Sequence, residues 1–417
     1  MSAVALLHYA GPPGIGGVEA TIAAHAELLA DDGYRVRIIA GGGSAPDGRS
    51  TMLVEPLLGS RHPRVEAVNA ELSRGEVSPA FHALADEIAA ILATALAGCA
   101  VALVHNVQTL HKNLAFTAAL ARLHQAGATP RLVGWAHDFA WHDPLYLPQL
   151  HAGWPWSLLR EPWPGVQYVT VSEDRRAALA ELLAIPADSI AVVPPGVDAA
   201  RLMKLEPATA ALVKEYNLLS ADPLLVLPAR LTRRKNIELA LRIVAALRDM
   251  MRAPQLVVTG PPGPHNPANA AYVAELHVLQ AELDAPVLFL YRALATPAAT
   301  QPAQRAHPVS DAMIADWFSL ADGLLFPSRA EGFGMPVIEA ALRGVPIVCA
   351  DIAPFREIVA EHALRFALDE PPAQIARRIA QMFEQQPRYL LRRQMRMDYT
   401  WQAIYDRAIR PLLAADV

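Results

Sequence analysis

The sequence predicts an α/β protein built from two tandem domains, each a parallel sheet flanked by helices. Three observations carry that expectation. Short apolar runs alternate with longer amphipathic stretches, the rhythm of strands joined by crossover helices. The rhythm pauses at Val193-Pro194-Pro195-Gly196-Val197-Asp198 and then restarts. The length of 417 residues, at roughly 150 per domain, leaves room for two or three units with a core each.

In the first half, Leu6-Leu7-His8-Tyr9 reads as a buried strand, followed by a helix over Val18–Ala30 and a strand over Arg35–Ala40. Ile88 to Val104 is free of charged residues and histidine, but a helix ending near Gly98 and a strand Ala100–His105 explain it better than a membrane span. Then come helix Leu114–Gln125, strand Arg131–Trp135, strand Val166–Val171 and helix Asp174–Leu183. The second half gives strand Leu224–Pro228, helix Asn236–Met251, strand Gln255–Val258, helix Ala270–Leu283 and strand Val287–Leu290. Helix Asp311–Leu320, strand Gly323–Phe326, helix Pro336–Arg343 and strand Ile347–Cys349 complete it. Thr296–Ser310, rich in Pro, Ala and Gln, is expected to be a surface loop. Ser50–Ser78 and Trp141–Trp163 carry no readable pattern.

Composition narrows the function. With 53% hydrophobic and 18% charged residues the chain is not globally disordered. Lys plus Arg number 36 against 41 Asp plus Glu, a net charge of −5, which argues against a nucleic-acid partner. The basic C-terminal arginines Arg377, Arg378, Arg388, Arg392, Arg393 and Arg396 read as a solvated face. Cys99 and Cys349 match no zinc or redox spacing and are expected as buried, reduced thiols of a cytoplasmic protein. Met1–Ala10 reads as a strand, not a signal peptide.

In open α/β sheets ligands bind beyond the carboxyl ends of strands, so a cleft between the two domains is the expected site. Gly11-Pro12-Pro13-Gly14-Ile15-Gly16-Gly17-Val18-Glu19 follows the first strand, yet Glu19 stands where a dinucleotide fingerprint needs its third glycine. No P-loop lysine is present either. The loop is equally a tight turn or a backbone approach to phosphate or sugar at a helix N-terminus. The sharper signal is Ser328-Arg329-Ala330-Glu331-Gly332-Phe333-Gly334-Met335-Pro336-Val337-Ile338-Glu339. Pro336 suits the first helical position, and the Gly334 and Met335 amides would form a diphosphate cradle at the helix's positive end. Glu339 could accept hydrogen bonds from both ribose hydroxyls, and Glu331 from sugar hydroxyls. Pro228-Ala229-Arg230-Leu231-Thr232-Arg233-Arg234-Lys235-Asn236 supplies cations, of which Arg230 and Lys235 suit a diphosphate and Arg233 and Arg234 read as solvated.

Glu331 and Glu339 form an E-x7-E pattern that, with Arg230–Asn236, resembles the retaining glycosyltransferases of family 4 (group 1). Gly16-Gly17-Val18-Glu19, Val171-Ser172-Glu173, Val193–Asp198 and Tyr399-Thr400-Trp401 through Leu413 resemble further motifs of that family in the same order. The resemblance implies the GT-B fold, two Rossmann-like domains with parallel sheets facing a central cleft. It divides the chain into an N-terminal acceptor-side domain, 1–198 with returning helices at about 397–417, and a nucleotide-sugar domain, 199–396. It implies a hexose transferred from a nucleoside-diphosphate sugar (a UDP-sugar or GDP-mannose) to an acceptor hydroxyl. Retention by a front-face route, without a metal or other cofactor, is implied too.

By the same resemblance Arg230 and Lys235 hold the diphosphate with the amides of Gly334 and Met335, and Glu339 holds the ribose. Glu331 with Gly332-Phe333-Gly334 meets the donor sugar, while Gly16 and Gly17 approach the phosphates. His137 lies near the donor sugar or acceptor, with Asp138 and Trp141 on the acceptor side. Domain closure is expected to assemble Arg230 and Lys235 with His137. Three departures stand out: Ala229 and Tyr291 replace common glycines, and Pro195 replaces a common Asn. His137 and His142 would lie about 140° apart on a helix, and Pro144 follows, so no metal site is expected. Trp135, Phe139, Trp141, Trp154, Trp156 and Trp163 offer an aromatic acceptor wall or plain core, with core preferred for most. Expected partners are the donor and a small-molecule or glycan acceptor, with no nucleic acid and no transmembrane segment; peripheral membrane contact and oligomeric state stay open. An epimerase of the same architecture or a non-catalytic nucleotide-sugar binder are the rival readings.

Overall fold

The computed structural model describes residues 2–14, 16–263, 268–295 and 309–414. Most of the expected loop at 296–310, and the last proline of Gly260–Pro264, lie outside them. The chain divides into two compact units, Met1–Val197 with Trp401–Val417, and Asp198–Thr400.

The first unit holds seven parallel strands among the described residues: β1 (Ala3–His8), β2 (Arg35–Ala40), β3 (Thr51–Val54), β4 (Cys99–His105), β5 (Arg131–Ala136), β6 (Gln167–Thr170) and β7 (Ala191–Val192). Their order is β3-β2-β1-β4-β5-β6-β7, so the winding reverses between β1 and β4. All six residues of β1 are buried, as a strand covered on both faces requires. Helix Leu114–Gln125 packs on helix Pro79–Ala95 over one face. Helix Gly17–Asp31 covers the other, joined by Ile404, Tyr405, Ile409 and Leu413 of the returning C-terminal segment. That segment is pinned by the Tyr405 hydroxyl donating to Asp32 at 2.8 Å and by Arg131 donating to the Leu412 carbonyl at 2.8 Å.

The second unit holds β8 (Leu224–Leu227), β9 (Gln255–Val258), β10 (Val287–Phe289), β11 (Gly323–Phe326), β12 (Ile347–Ala350) and β13 (Leu364–Phe366) among the described residues. All are parallel, in the order β10-β9-β8-β11-β12-β13. Its reversal lies between β8 and β11.

The structure corrects several expectations. Thr51–Val54 and Leu364–Phe366 are strands too short to show a period of two. Helix Pro63–Leu72 lies inside the stretch that carried no readable pattern. Cys99 is only partly buried, whereas Cys349 is buried and its thiol is pushed up to about 12 by desolvation. The C-terminal arginines are not a uniformly solvated face. Arg396 is buried and bonds Asp322 at 2.7 Å, and Arg393 bonds buried Asp222 at 2.7 Å. Arg343, Arg388 and Arg392 line a cleft at the amino ends of β11 and β12. Arg388 donates to the Gly344 carbonyl, and Arg392 to the Ser319, Leu320 and Ala321 carbonyls, the negative ends of helices Met335–Leu342 and Asp311–Leu320. Arg343 donates to the Ser319 hydroxyl beside them. No helix among the described residues is long and apolar enough to cross a membrane.

Candidate functional site

In the second unit both singled-out motifs emerge at the reversal point. Arg230–Asn236 follows β8 and Pro327–Met335 follows β11, its hydrogen-bonded neighbour. Asn236 ties the two loops together. It is buried, adopts φ +52, a left-handed conformation that Asn tolerates, and donates to the Pro327 carbonyl at 3.1 Å. Its Oδ1 accepts from Arg329 at 2.8 Å, and the Arg329 amide donates to the Arg234 carbonyl at 2.9 Å.

This tie brings Glu331 onto two cations. Lys235 Nζ donates to Glu331 Oε1 at 2.5 Å, and Arg234 Nη1 to Oε2 at 2.7 Å. Arg234, expected to be solvated, is thus part of the cluster, and it also bonds the Ala330 carbonyl at 2.8 Å. Arg233 fits the solvated expectation, paired with exposed Glu275. Burial alone would push the Glu331 carboxyl up, yet the hydrogen-bonded Lys235 and the neighbouring Arg234 hold it below the usual carboxylate range. Lys235 is 13% exposed and Glu331 9%, so water screens their attraction weakly. The ammonium also lies 4.9 Å from the Phe326 ring centroid. Arg230 is exposed and makes no ion pair among the described residues, which leaves its guanidinium available to an anion.

Helix Met335–Leu342 starts one residue earlier than expected, with Pro336 in its first turn. Val337 N donates to the Gly334 carbonyl, while the Gly334 and Met335 amides have no backbone acceptor among the described residues. Gly332, Phe333 and Met335 are exposed beside them, and so is Glu339 further along the helix. Gly334 has φ +122, and a Cβ there would lie 2.8 Å from the Phe355 ring. Gly334→Ala is therefore expected to cost about 1–3 kcal/mol. Calorimetry should show a Tm lower by roughly 3–10 °C. An unchanged Tm would mean that the loop relaxes without strain.

Tyr291, which stands where the resembled family commonly has glycine, is anchored. His277 Nε2 donates to its hydroxyl at 2.5 Å, with Arg292 donating to His277 Nδ1 at 3.3 Å.

In the first unit the glycine loop opens helix Gly17–Asp31, and a Cβ at Gly17 would meet nothing within 4 Å. Gly16 is the N-cap of helix Gly17–Asp31, and a Cβ at Gly16 would meet the Glu19 carboxylate. Glu19 thus already covers the approach expected of a phosphate at Gly16. The aromatic residues are largely core: Trp135, Phe139, Trp156 and Trp163 are buried. Trp141 donates its indole N–H to the Trp156 carbonyl at 3.4 Å and carries Arg160 over its ring at 4.6 Å, and exposed Trp154 stacks on His82.

His137 and exposed Asp138 follow β5, and both backbone amides donate to Asn106 Oδ1, at 2.7 and 3.3 Å. Asn106, His105 and His8 carry no sequence signal strong enough to single them out. Their only mark is a polar side chain closing an apolar run at the ends of β4 and β1. His8 Nδ1 donates to the His105 carbonyl at 2.8 Å, and His105 Nδ1 lies 3.2 Å from His137 Nε2. His25, from the overlying helix, completes the group against Trp135 and Trp401. Among the described residues no His, Cys, Asp or Glu group has metal-binding geometry.

Two doubly wound parallel sheets, one in each unit, define a two-domain α/β protein of Rossmann-like class, and the sequence comparisons make it specific. The profile for glycosyl transferases group 1 matches residues 301–399, and that for glycosyltransferase family 4 matches 15–201. The chain belongs to the group 1/family 4 glycosyltransferases, with the GT-B fold. It is 41% identical over 71 residues to the serotype-specific mannosyltransferase WbdA of Escherichia coli, covering 17% of this chain and 9% of that protein. It is 32% identical over 174 residues to a D-inositol 3-phosphate glycosyltransferase of Streptomyces scabiei, covering 40% of this chain and 34% of that protein. The chain thus spans about a third or less of the length of these curated relatives. A crystal structure of Anabaena Alr3699/HepE in complex with UDP aligns over 99% of this chain and 100% of that one, at 15% identity and a TM-score of 0.35.

Proposed function

We propose that the chain is a retaining, metal-independent hexosyltransferase of the cytoplasm, moving a sugar from a UDP-sugar or GDP-mannose to an acceptor hydroxyl. The observation that carries this reading is the meeting of Lys235, Arg234 and Glu331 at the sheet reversal, beside exposed Arg230 and the Gly334 and Met335 amides, which have no backbone acceptor among the described residues. Cations and amides there suit a diphosphate, whose charge grows as the bond to the anomeric carbon breaks. Glu331, held ionised by its two cations, is suited to sugar hydroxyls or to positive charge at the anomeric carbon. Exposed Glu339 is assigned to the ribose, Gly332 and Phe333 to the donor sugar, and Gly16 and Gly17 to the phosphates, which requires Glu19 to swing aside. His137 is assigned to substrate at the carboxyl edge of the first sheet, with Asp138 and Trp141 on the acceptor side.

In a front-face transfer the acceptor oxygen bonds to the anomeric carbon on the face that the diphosphate leaves. The acceptor proton passes to a departing phosphate oxygen, so no protein base is consumed. The chain's contribution is orientation and charge stabilisation. A thermal-shift panel of UDP, GDP, ADP and their sugars tests the donor class, because a ligand of the folded state raises Tm. A rise with one base and its sugar is expected; no shift with any of them sinks the reading. Chromatography of that donor incubated alone separates a transferase from an epimerase, which would convert it without an acceptor.

A further inference from the structure

His8, His105 and His137 stand in a row at the ends of β1, β4 and β5, which are neighbours in the sheet. His105 is fully buried, and its two ring nitrogens differ. Nδ1 lies 3.2 Å from His137 Nε2, whereas Nε2 is buried with no partner among the described residues. His25 is the ring nearby at 5.4 Å between centroids, and neither of its nitrogens makes a hydrogen bond among the described residues.

Of the two nitrogens that meet, one must carry the proton. If His137 Nε2 donated, neutral His105 would hold its own proton on Nε2, an N–H buried without an acceptor. Orphaned buried donors are rarer and less tolerated than orphaned lone pairs. The opposite assignment leaves a bare nitrogen on His105, one orphaned N–H fewer, since neutral His25 carries an unpaired N–H in either case. His105 Nδ1–H therefore donates to His137 Nε2, and the proton of His137 resides on Nδ1. Among the described residues His137 Nδ1 has no hydrogen-bond partner and is not among the buried orphan atoms, so it is the nitrogen open to a ligand.

We infer that His105 is a positioning residue that locks His137 in its Nδ1–H form, so that His137 offers a hydrogen-bond donor to a ligand oxygen and not a base. Asn106 supports the lock from the backbone side. It accepts from both the His137 and Asp138 amides and itself adopts φ +59, with its own amide bonded to the Trp135 carbonyl at 2.9 Å. Burial favours neutral rings here, lowering His137 to about 4 and His105 well below its ordinary value. The ligand class follows from the donor: a hydroxyl, carbonyl or phosphate oxygen. That this oxygen belongs to a sugar substrate rests on the proposed function; the tautomer itself does not. A donating His137 fits a transfer in which the departing phosphate takes the acceptor proton.

The test is a long-range 1H–15N correlation spectrum of ligand-free protein labelled with 15N-histidine at pH 7.5, with the His137 ring assigned by its loss in His137→Gln. Wild type should show the Nδ1–H pattern for His137. His105→Phe keeps a ring but removes the donor and should shift His137 towards Nε2–H, the form neutral imidazole favours in water. His105→Gln, whose amide can still donate, should restore Nδ1–H. An Nε2–H pattern in wild type, or an unchanged His137 in folded His105→Phe, overturns the inference, and the wild-type spectrum decides alone if neither variant folds. The experiment uses no sugar donor. A protein that binds no nucleotide sugar but shows Nδ1–H would sink the proposed function and leave this inference standing.

Discussion

Lys235→Ala is expected to lower turnover by about 10²–10³-fold, the usual cost of removing one preorganised group that meets developing charge. The reason lies in its surroundings. Lys235 is the least exposed cation of the cluster, held between Glu331 and the Phe326 ring, so its charge is weakly screened. Removing it leaves the Glu331 carboxylate balanced by exposed Arg234 alone, and a diphosphate placed there would then meet a less compensated anion. Both substrate binding and charge stabilisation should suffer. Isothermal titration with UDP and GDP, alongside initial rates, reads the two effects. Far-UV circular dichroism should be unchanged, because Lys235 ends a single 3-10 turn and belongs to no buried strand or long helix. Lys235→Arg should rescue only in part, since a planar fork cannot take the place of a compact ammonium. Diphosphate affinity and turnover within a few-fold of wild type would remove Lys235 from the site.

Acid should unfold the first unit well before its carboxylates titrate. His25 is buried and lowered to about 3 by desolvation, with His137 nearby as a further cause; His137 is lowered to about 4, and His105 and His8 also fall. In the unfolded chain these rings take up protons near pH 6.5, while the folded rings stay neutral. Unfolding therefore binds protons between about pH 6.5 and 4, and stability, complete above pH 6.5, is lost as pH falls through that window. At about 1.4 kcal/mol per pKa unit, the drop is on the order of 5 kcal/mol. Urea unfolding at pH 7.5 and pH 5 should show a markedly lower midpoint at the acid value. His25→Leu, similar in volume and unable to ionise, should flatten that dependence by about one proton. Equal midpoints for the wild type at both pH values would show that the histidine group is not held neutral.

Much of this molecule was legible in one dimension. Helix Leu114–Gln125, strand Gln255–Val258, helix Asp311–Leu320 and strand Gly323–Phe326 fall where the apolar pattern predicts them, because a strand buried on both faces must be continuously apolar and a covering helix must repeat near 3.6 residues. The loops were legible for the same reason. Glycine, proline and charge cluster where strands end, and Arg230, Lys235 and Glu331 stand out against apolar strands on either side. The short edge strands Thr51–Val54 and Leu364–Phe366 were not, since three or four residues hold no period.

Only the tertiary structure decided which of those polar groups touch. Arg233 and Arg234 are adjacent in sequence, yet one pairs with exposed Glu275 and the other with Glu331. Arg396, one arginine among many in a basic stretch, is buried on Asp322. His8, His105 and His137 are separated by 97 and 32 positions and become neighbours because β1, β4 and β5 lie side by side. By itself the sequence determined the periodicities, the strand-end loops and the chemistry stored in them, since those depend on near neighbours along the chain. Pairing across the sheet depends on strand order and on exclusion of water, and these exist only once the chain has folded.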